Sequence, residues 1–192
     1  APEYEEPTED EPDVFRISAL THFNETGFSL PLPIMLEAQS RFADAEPDIV
    51  HVHHPFLLGS TGLSLAKSMN LPVVFTYHTQ YERYAHYMPF GDEMVREVAQ
   101  QVAWRFANCC DAVIAPSNDI RDTLVERGVQ MPIRVIPTGV DLLRFRRANK
   151  GWLRGRFGIG QDERILLFVS RLAREKSVDF LIRSFARLAA EV

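Results

Sequence analysis

Apolar positions along the chain change their period several times, and each change marks a predicted element. "VFRIS" (14–18) is a short run of strand type. "THFNETGFSLPLP" follows it, too rich in Gly, Asn and Pro for regular structure. In "PIMLEAQSRFADAE" the apolar residues Ile34, Leu36, Ala38, Phe42 and Ala45 predict an amphipathic helix. A rhythm then sets in. "DIVHVHH", "PVVFTYH", "DAVIAPS" and "IRVIP" read as strands, alternating with helices over "LGSTGLSLAKSMN", "DEMVREVAQQVAWRFANC" and 118–127. In the second of these helices Met94, Val98, Val102 and Phe106 make one apolar stripe at four-residue spacing. The third has Ser117 to cap it and Gly128 to stop it.

Strands that are apolar throughout and separated by helices indicate an α/β fold with a parallel sheet covered on both faces. Between Thr138 and Glu163 the rhythm lapses into a basic, glycine-bearing stretch in which "GWLRGRFGIG" reads as a connector. It restarts with "RILLFVSRL" as a strand and "SVDFLIRSFARLAAEV" as a helix. The expected organisation is an acidic mobile segment (1–13), an α/β domain (14–140), a linker (141–163) and the start of a second α/β domain (164–192). A single βα pair cannot bury its own faces, so the chain is expected to be part of something longer.

Composition narrows the class. With 46% hydrophobic and 24% charged residues the chain is globular rather than disordered or fibrous. No apolar run nears the roughly 20 residues that span a bilayer, and "APEYEEPTEDEPD" is no signal peptide. Cys109 and Cys110 are adjacent, which excludes an internal disulfide framework, favours a reducing compartment and reads as a pair of core residues. A cytoplasmic location is expected, with peripheral contact at the inner membrane face left open. Acidic residues from Glu3 to Asp13 account for the net charge of −5 and leave the remainder positive. Arg144, Arg146, Arg147, Lys150, Arg154 and Arg156 crowd one short stretch without the aromatic interleaving of a nucleic-acid surface, so no nucleic-acid partner is expected. That stretch reads as a solvated linker, with anionic lipid as the alternative partner.

Candidate chemistry centres on histidines. His51 and His53 project to one face of a strand and His54 to the other. A His-x-His pair can share a metal, but neither H-x-H-x-D-H nor H-E-x-x-H occurs, so no metal site is expected. The alternative is the carboxyl edge of a buried strand, where open α/β sheets place their ligands. His78 ends the neighbouring strand "VVFTYH" in the same way. Tyr77, Tyr81, Tyr84 and Tyr87 with His86 make an aromatic loop there that either packs its rings on the domain or forms an acceptor-binding lip. In "SRLAREK", Arg171 and Lys176 precede a helix, and two cations beside a helix N-terminus suit a diphosphate. No phosphate-loop glycine pattern and no G-x-S-x-G elbow is present.

Taken together, "PDIVHVHHP", "PVVFTYHTQYERY", "DAVIAPSNDIRDTL", "IRVIPTGVDLLRF" and "ILLFVSRLAREKSVDFLIRSF" resemble the retaining, nucleotide-sugar-dependent glycosyltransferases of the GT-B fold, group-one or family-four type. "HTQYERYAHY" is most similar to members that glycosylate lipids, such as diacylglycerol glucosyltransferases. The resemblance implies two Rossmann-like domains facing across a cleft, with acceptor held by the first and nucleotide-sugar by the second. It implies that Arg171 and Lys176 hold the donor diphosphate, with Ser170 where the family usually has Gly. It places His78 near the reacting sugar as the catalytic residue, and His53, His54, Thr79, Tyr81 and Tyr84 on the acceptor side. "IPTGVD" matches the family's "IPNGVD" with Thr138 for Asn.

Transfer with retention, no metal and no cofactor beyond the nucleotide-sugar substrate is the implied activity, with a sugar or lipid acceptor as partner. The family's first strand and glycine-rich loop are expected before residue 1, and its donor-holding carboxylates after Val192, so residues 1–192 alone are expected to be inactive. Two alternatives stay open: a nucleotide-sugar 2-epimerase of the same fold, and a non-catalytic glycan- or lipid-binding domain.

Overall fold

The structure, a computed structural model, describes residues 14–20, 30–32, 35–81, 93–146, 149, 151–170, 172 and 176–191. It divides into two compact units, Ala1–Thr138 and Gly139–Val192.

In the first unit an antiparallel pair, β1 (Ala19–Leu20) with β2 (Leu30–Pro31), is followed by helix α1 (Met35–Asp44). The pair starts later than "VFRIS" predicts: Ile17 is buried and only bridges, while the ladder forms at Ala19. A four-stranded parallel sheet then takes β3 (Val50–Val52), β4 (Val73–Thr76), β5 (Ala112–Ala115) and β6 (Ile133–Val135) in sequence order. The crossovers are helices α2 (Leu58–Ser68), α3 (Glu93–Cys109) and α4 (Asn118–Glu126). This is the α/β, Rossmann-like architecture that the alternation predicts.

The register sets Val52 beside Phe75, Phe75 beside Val113 and Val113 beside Ile133. Phe75, Val73, Val113 and Leu124 are fully buried, and the Phe75 and Phe106 rings meet edge-on with centroids 5.0 Å apart. Strands covered on both faces need such continuous apolar runs, and each large side chain so buried contributes about 1.5–3 kcal/mol. At the amino edge, the Asp111 carboxylate accepts from the Val73 N–H at 2.8 Å and lies 3.6 Å from the Lys67 ammonium. That tie levels the starts of β4 and β5, and so levels their ends. Ser117 Oγ accepts from the Ile120 N–H as the cap of α4, and Gly128 ends that helix at φ 87°.

Four expectations change. The α3 stripe does not face the core as one line: Ala103, Phe106 and Ala107 are buried, whereas Met94 is 73% exposed and Val98 is exposed too. With 3.6 residues per turn a four-residue spacing drifts about 40° per step, so Met94 points well away from Phe106. Of the two cysteines only Cys110 is core; Cys109 is exposed. Burial, reinforced by Cys109, pushes the Cys110 thiol up to about 12.

The other two fall in the second unit. There the lapse of rhythm between Thr138 and Glu163 holds two short helices, α5 (Leu142–Arg146) and α6 (Trp152–Phe157), the second within "GWLRGRFGIG". Asp141 caps α5 by accepting from Leu143 and Arg144, and Gly158 at φ 65° stops α6. Arg154 then holds the following turn through the carbonyls of Gly160 and Glu163. The run "RILLFVSRL" forms no strand over 164–169, whereas α7 (Val178–Glu191) forms as predicted. Strand hydrogen bonds need a neighbouring strand, and none stands beside 164–169 among the described residues.

Candidate functional site

Parallel strands deliver their carboxyl ends to a single edge, so the topology decides which side chains meet. The register of β3 on β4 brings the residues after Val52 alongside those after Phe75. His53 Nδ1 and His78 Nε2 lie 2.9 Å apart, within hydrogen-bond distance, with the rings stacked at 22° and centroids 5.1 Å apart. His51 also lies against the His53 ring, centroids 4.3 Å apart and tilted by 38°. Its Nε2 is 2.6 Å from the hydroxyl of Thr76, a buried residue of β4. The His-x-His pair thus shares a face, as alternation along a strand requires. One nitrogen of each ring is engaged, His51 Nε2 with Thr76 and His53 Nδ1 with His78, and among the described residues no group of His, Cys, Asp or Glu is arranged to hold a metal ion.

Charge is disfavoured here. Burial, and the neighbouring imidazoles of His51, His78 and His54, lower the pKa of His53 below the ordinary histidine value. Half-buried His54 is lowered by desolvation, opposed in part by the Phe56 backbone. His53 and His54 therefore favour the neutral ring, which accepts and donates hydrogen bonds without demanding a counter-ion.

The turn from β3 into α2 explains how the histidines are held. Pro55 is fully buried, and a Cβ at Gly59 would sit 1.6 Å from the His54 carbonyl oxygen. Only glycine permits that approach of helix to turn. A file of edge-to-face rings joins the two turns: Phe75 to Tyr77 at 6.1 Å, Tyr77 to Tyr81 at 5.5 Å and Tyr81 to Phe56 at 5.2 Å. Tyr77 is buried and Tyr81 half-buried, so these two rings pack on the domain. Burial raises the Tyr81 phenol's pKa, and its buried hydroxyl has no hydrogen-bond partner among the described residues.

The structure thus brings together His53, His54, His78, half-buried Thr79 and Tyr81 at one edge. Lys176 is exposed in the turn before α7, in the second unit. Tyr84 and Arg171 lie outside the described residues. Sequence reasoning missed the roles of Thr76, Phe56 and Gly59. The small residues of "LGSTGLSLAK" signalled close packing there, but not which carbonyl Gly59 would meet.

An open parallel α/β sheet with polar, hydrogen-bonding side chains at its carboxyl edge defines the class, a Rossmann-like α/β domain. Residues 1–144 match Glycosyltransferase Family 4, and the chain belongs to that family. It is similar to alpha-monoglucosyldiacylglycerol synthase of Streptococcus pneumoniae, 36% identical over 174 residues, which is 88% of this chain and 38% of that protein. To the enzyme of the same name from Acholeplasma laidlawii it is 28% identical over 189 residues, 92% of this chain and 47% of that one. A D-inositol 3-phosphate glycosyltransferase of Kineococcus radiotolerans is 31% identical over 163 residues, 82% of this chain and 37% of that protein. The chain spans less than half the length of these relatives. No helix among the described residues is long and apolar enough to cross a membrane.

Proposed function

We propose that the full-length protein transfers a sugar from a nucleotide-sugar to a membrane lipid of the diacylglycerol class, with retention of configuration and without a metal ion. The observation that carries this reading is the similarity to alpha-monoglucosyldiacylglycerol synthase across 88% of the chain. Peripheral contact with a bilayer follows from a lipid acceptor.

In this reading His78 stands at the reacting sugar, and His53, His54, Thr79, Tyr81 and Tyr84 flank the acceptor. Breaking the glycosyl bond builds negative charge on the leaving diphosphate. Arg171 and Lys176, held on the donor side, stabilise that charge as it develops, and fixed charges of this kind are worth about 10²–10³ in rate. Two cations there replace the charge neutralisation that a divalent ion would provide.

The test is full-length protein offered several nucleotide-sugars against diacylglycerol vesicles and against inositol phosphate, with product identification. A glycosyl-diacylglycerol whose anomeric configuration matches the donor's, formed equally after chelator treatment, is the expected product. Arg171→Glu is expected to lower turnover at least about 10²-fold while leaving vesicle binding intact. Residues 1–192 by themselves are expected to bind acceptor without transfer. Product formed only on inositol phosphate would replace the lipid acceptor, and an epimerised donor with no acceptor consumed would replace transfer itself.

A further inference from the structure

We infer that His53 is a positioning residue for His78: the contact between His53 Nδ1 and His78 Nε2 sets both the orientation of the His78 ring and which of its nitrogens carries the proton. This rests on the proposed placement of His78 at the reacting sugar.

The geometry leaves room for one proton between the two nitrogens at 2.9 Å. One ring must donate and the other accept, so the two tautomers are locked to each other. If His78 Nε2 accepts, the neutral ring carries its proton on Nδ1 and offers a donor there; if Nε2 donates, Nδ1 is an acceptor. In either case His53 decides what His78 presents to a ligand. His53 is itself constrained. The His51 ring lies against it, and His51 is tied to the hydroxyl of buried Thr76, which belongs to the same strand that leads into His78. The four side chains form a chain of contacts, Thr76 to His51 to His53 to His78, and the His78 backbone N–H donates to the Thr76 carbonyl at 3.1 Å.

The titratable groups around His53 are the imidazoles of His51, His54 and His78. Protonating both partners removes the only acceptor and breaks the contact. A group that merely filled space would not link the orientation of His78 to proton uptake in this way. An analogous arrangement, a hydrogen-bond partner fixing the tautomer of a working histidine, recurs where imidazole performs chemistry.

The experiment compares full-length wild-type protein with His53→Asn, His53→Leu and His78→Ala, measuring kcat and the KM for nucleotide-sugar across pH. Asn places a polar atom near the position of Nδ1 but cannot ionise. His53→Leu is expected to lower kcat roughly three- to tenfold, the usual worth of one hydrogen bond, with KM for the donor unchanged. His53→Asn, which keeps a polar atom there, is expected to recover part of the kcat that His53→Leu loses, again with KM for the donor unchanged. If His53→Leu does not fold, His53→Ala takes its place in the comparison with His53→Asn. Wild-type kcat in His53→Leu, or an equal loss in His53→Asn and His53→Leu, with His78→Ala inactive, would overturn the positioning role and leave the site reading standing. Wild-type turnover by His78→Ala would overturn the site reading, and the inference with it.

Discussion

The β5–α4 segment (Ala112–Glu126) and the stretch from Arg164 to Glu191 have the same ingredients: an apolar run, a polar turn and an amphipathic helix. In the first, β5 lies between β4 and β6, its alternate residues Val113 and Ala115 fully buried. In the second, α7 forms, but 164–169 pairs with nothing described, and Leu166 and Val169 are exposed. Helical hydrogen bonds close within four residues, whereas a strand completes its bonds only on a neighbour. The same local pattern therefore yields a helix wherever it stands and a strand only where a sheet receives it.

The largest expected effect tests that contrast directly. Phe75→Ala, in the middle of the received sheet, is expected to cost about 3–5 kcal/mol in chemical denaturation of this chain. Val169→Ala, in an equally apolar run, is expected to change stability by less than about 0.5 kcal/mol, because the side chain is 83% exposed. Comparable losses from both would mean that 164–169 is packed after all, and the contrast would collapse.

The same physics explains what could be read in advance. Strand and helix types in the first unit were legible because each apolar run has the right period and a punctuating residue, such as Ser117 before α4 and Gly128 after it. The carboxyl-edge placement of His53, His54 and His78 was legible because a parallel sheet has only one such edge. Pairing was not. That His53 meets His78 while His51 meets Thr76 depends on β3 lying next to β4 in one register, and strand order is not written in either strand. The burial of α3 escaped for a related reason, since helix phase relative to the sheet is a tertiary quantity.

Gly59→Ala should come next in size. Its Cβ would meet a backbone carbonyl, which cannot swing aside as a side chain can. A loss of about 1–3 kcal/mol is expected, with the turn that carries His54 displaced, visible as shifted His54 ring signals in NMR. Gly155→Ala in α6, where a Cβ meets nothing within 4 Å, should instead be neutral or slightly stabilising. Capping offers a smaller version of the same contrast. Ser117→Ala removes the bond to the Ile120 N–H and should cost about 1 kcal/mol, whereas α6 begins at Gly151 with no side-chain cap to lose.

The smallest effect expected is one of pH, and it should separate the two units. All six histidines precede residue 139, and those with a resolved direction, His53 and His54, are lowered from 6.5. A lowered histidine means that the unfolded chain takes up protons more readily than the folded one, so stability is full above 6.5 and declines as pH falls below it. Amide exchange measured from pH ~7.5 to ~5.5 should therefore show protection fading in β3 and β4 while α7 keeps the same protection, once corrected for the intrinsic rate. Because His53 is exposed, solvent screens its neighbours and the change should be slight. Equal fading in α7 would point to a cause other than the histidines, since Gly139–Val192 contains none.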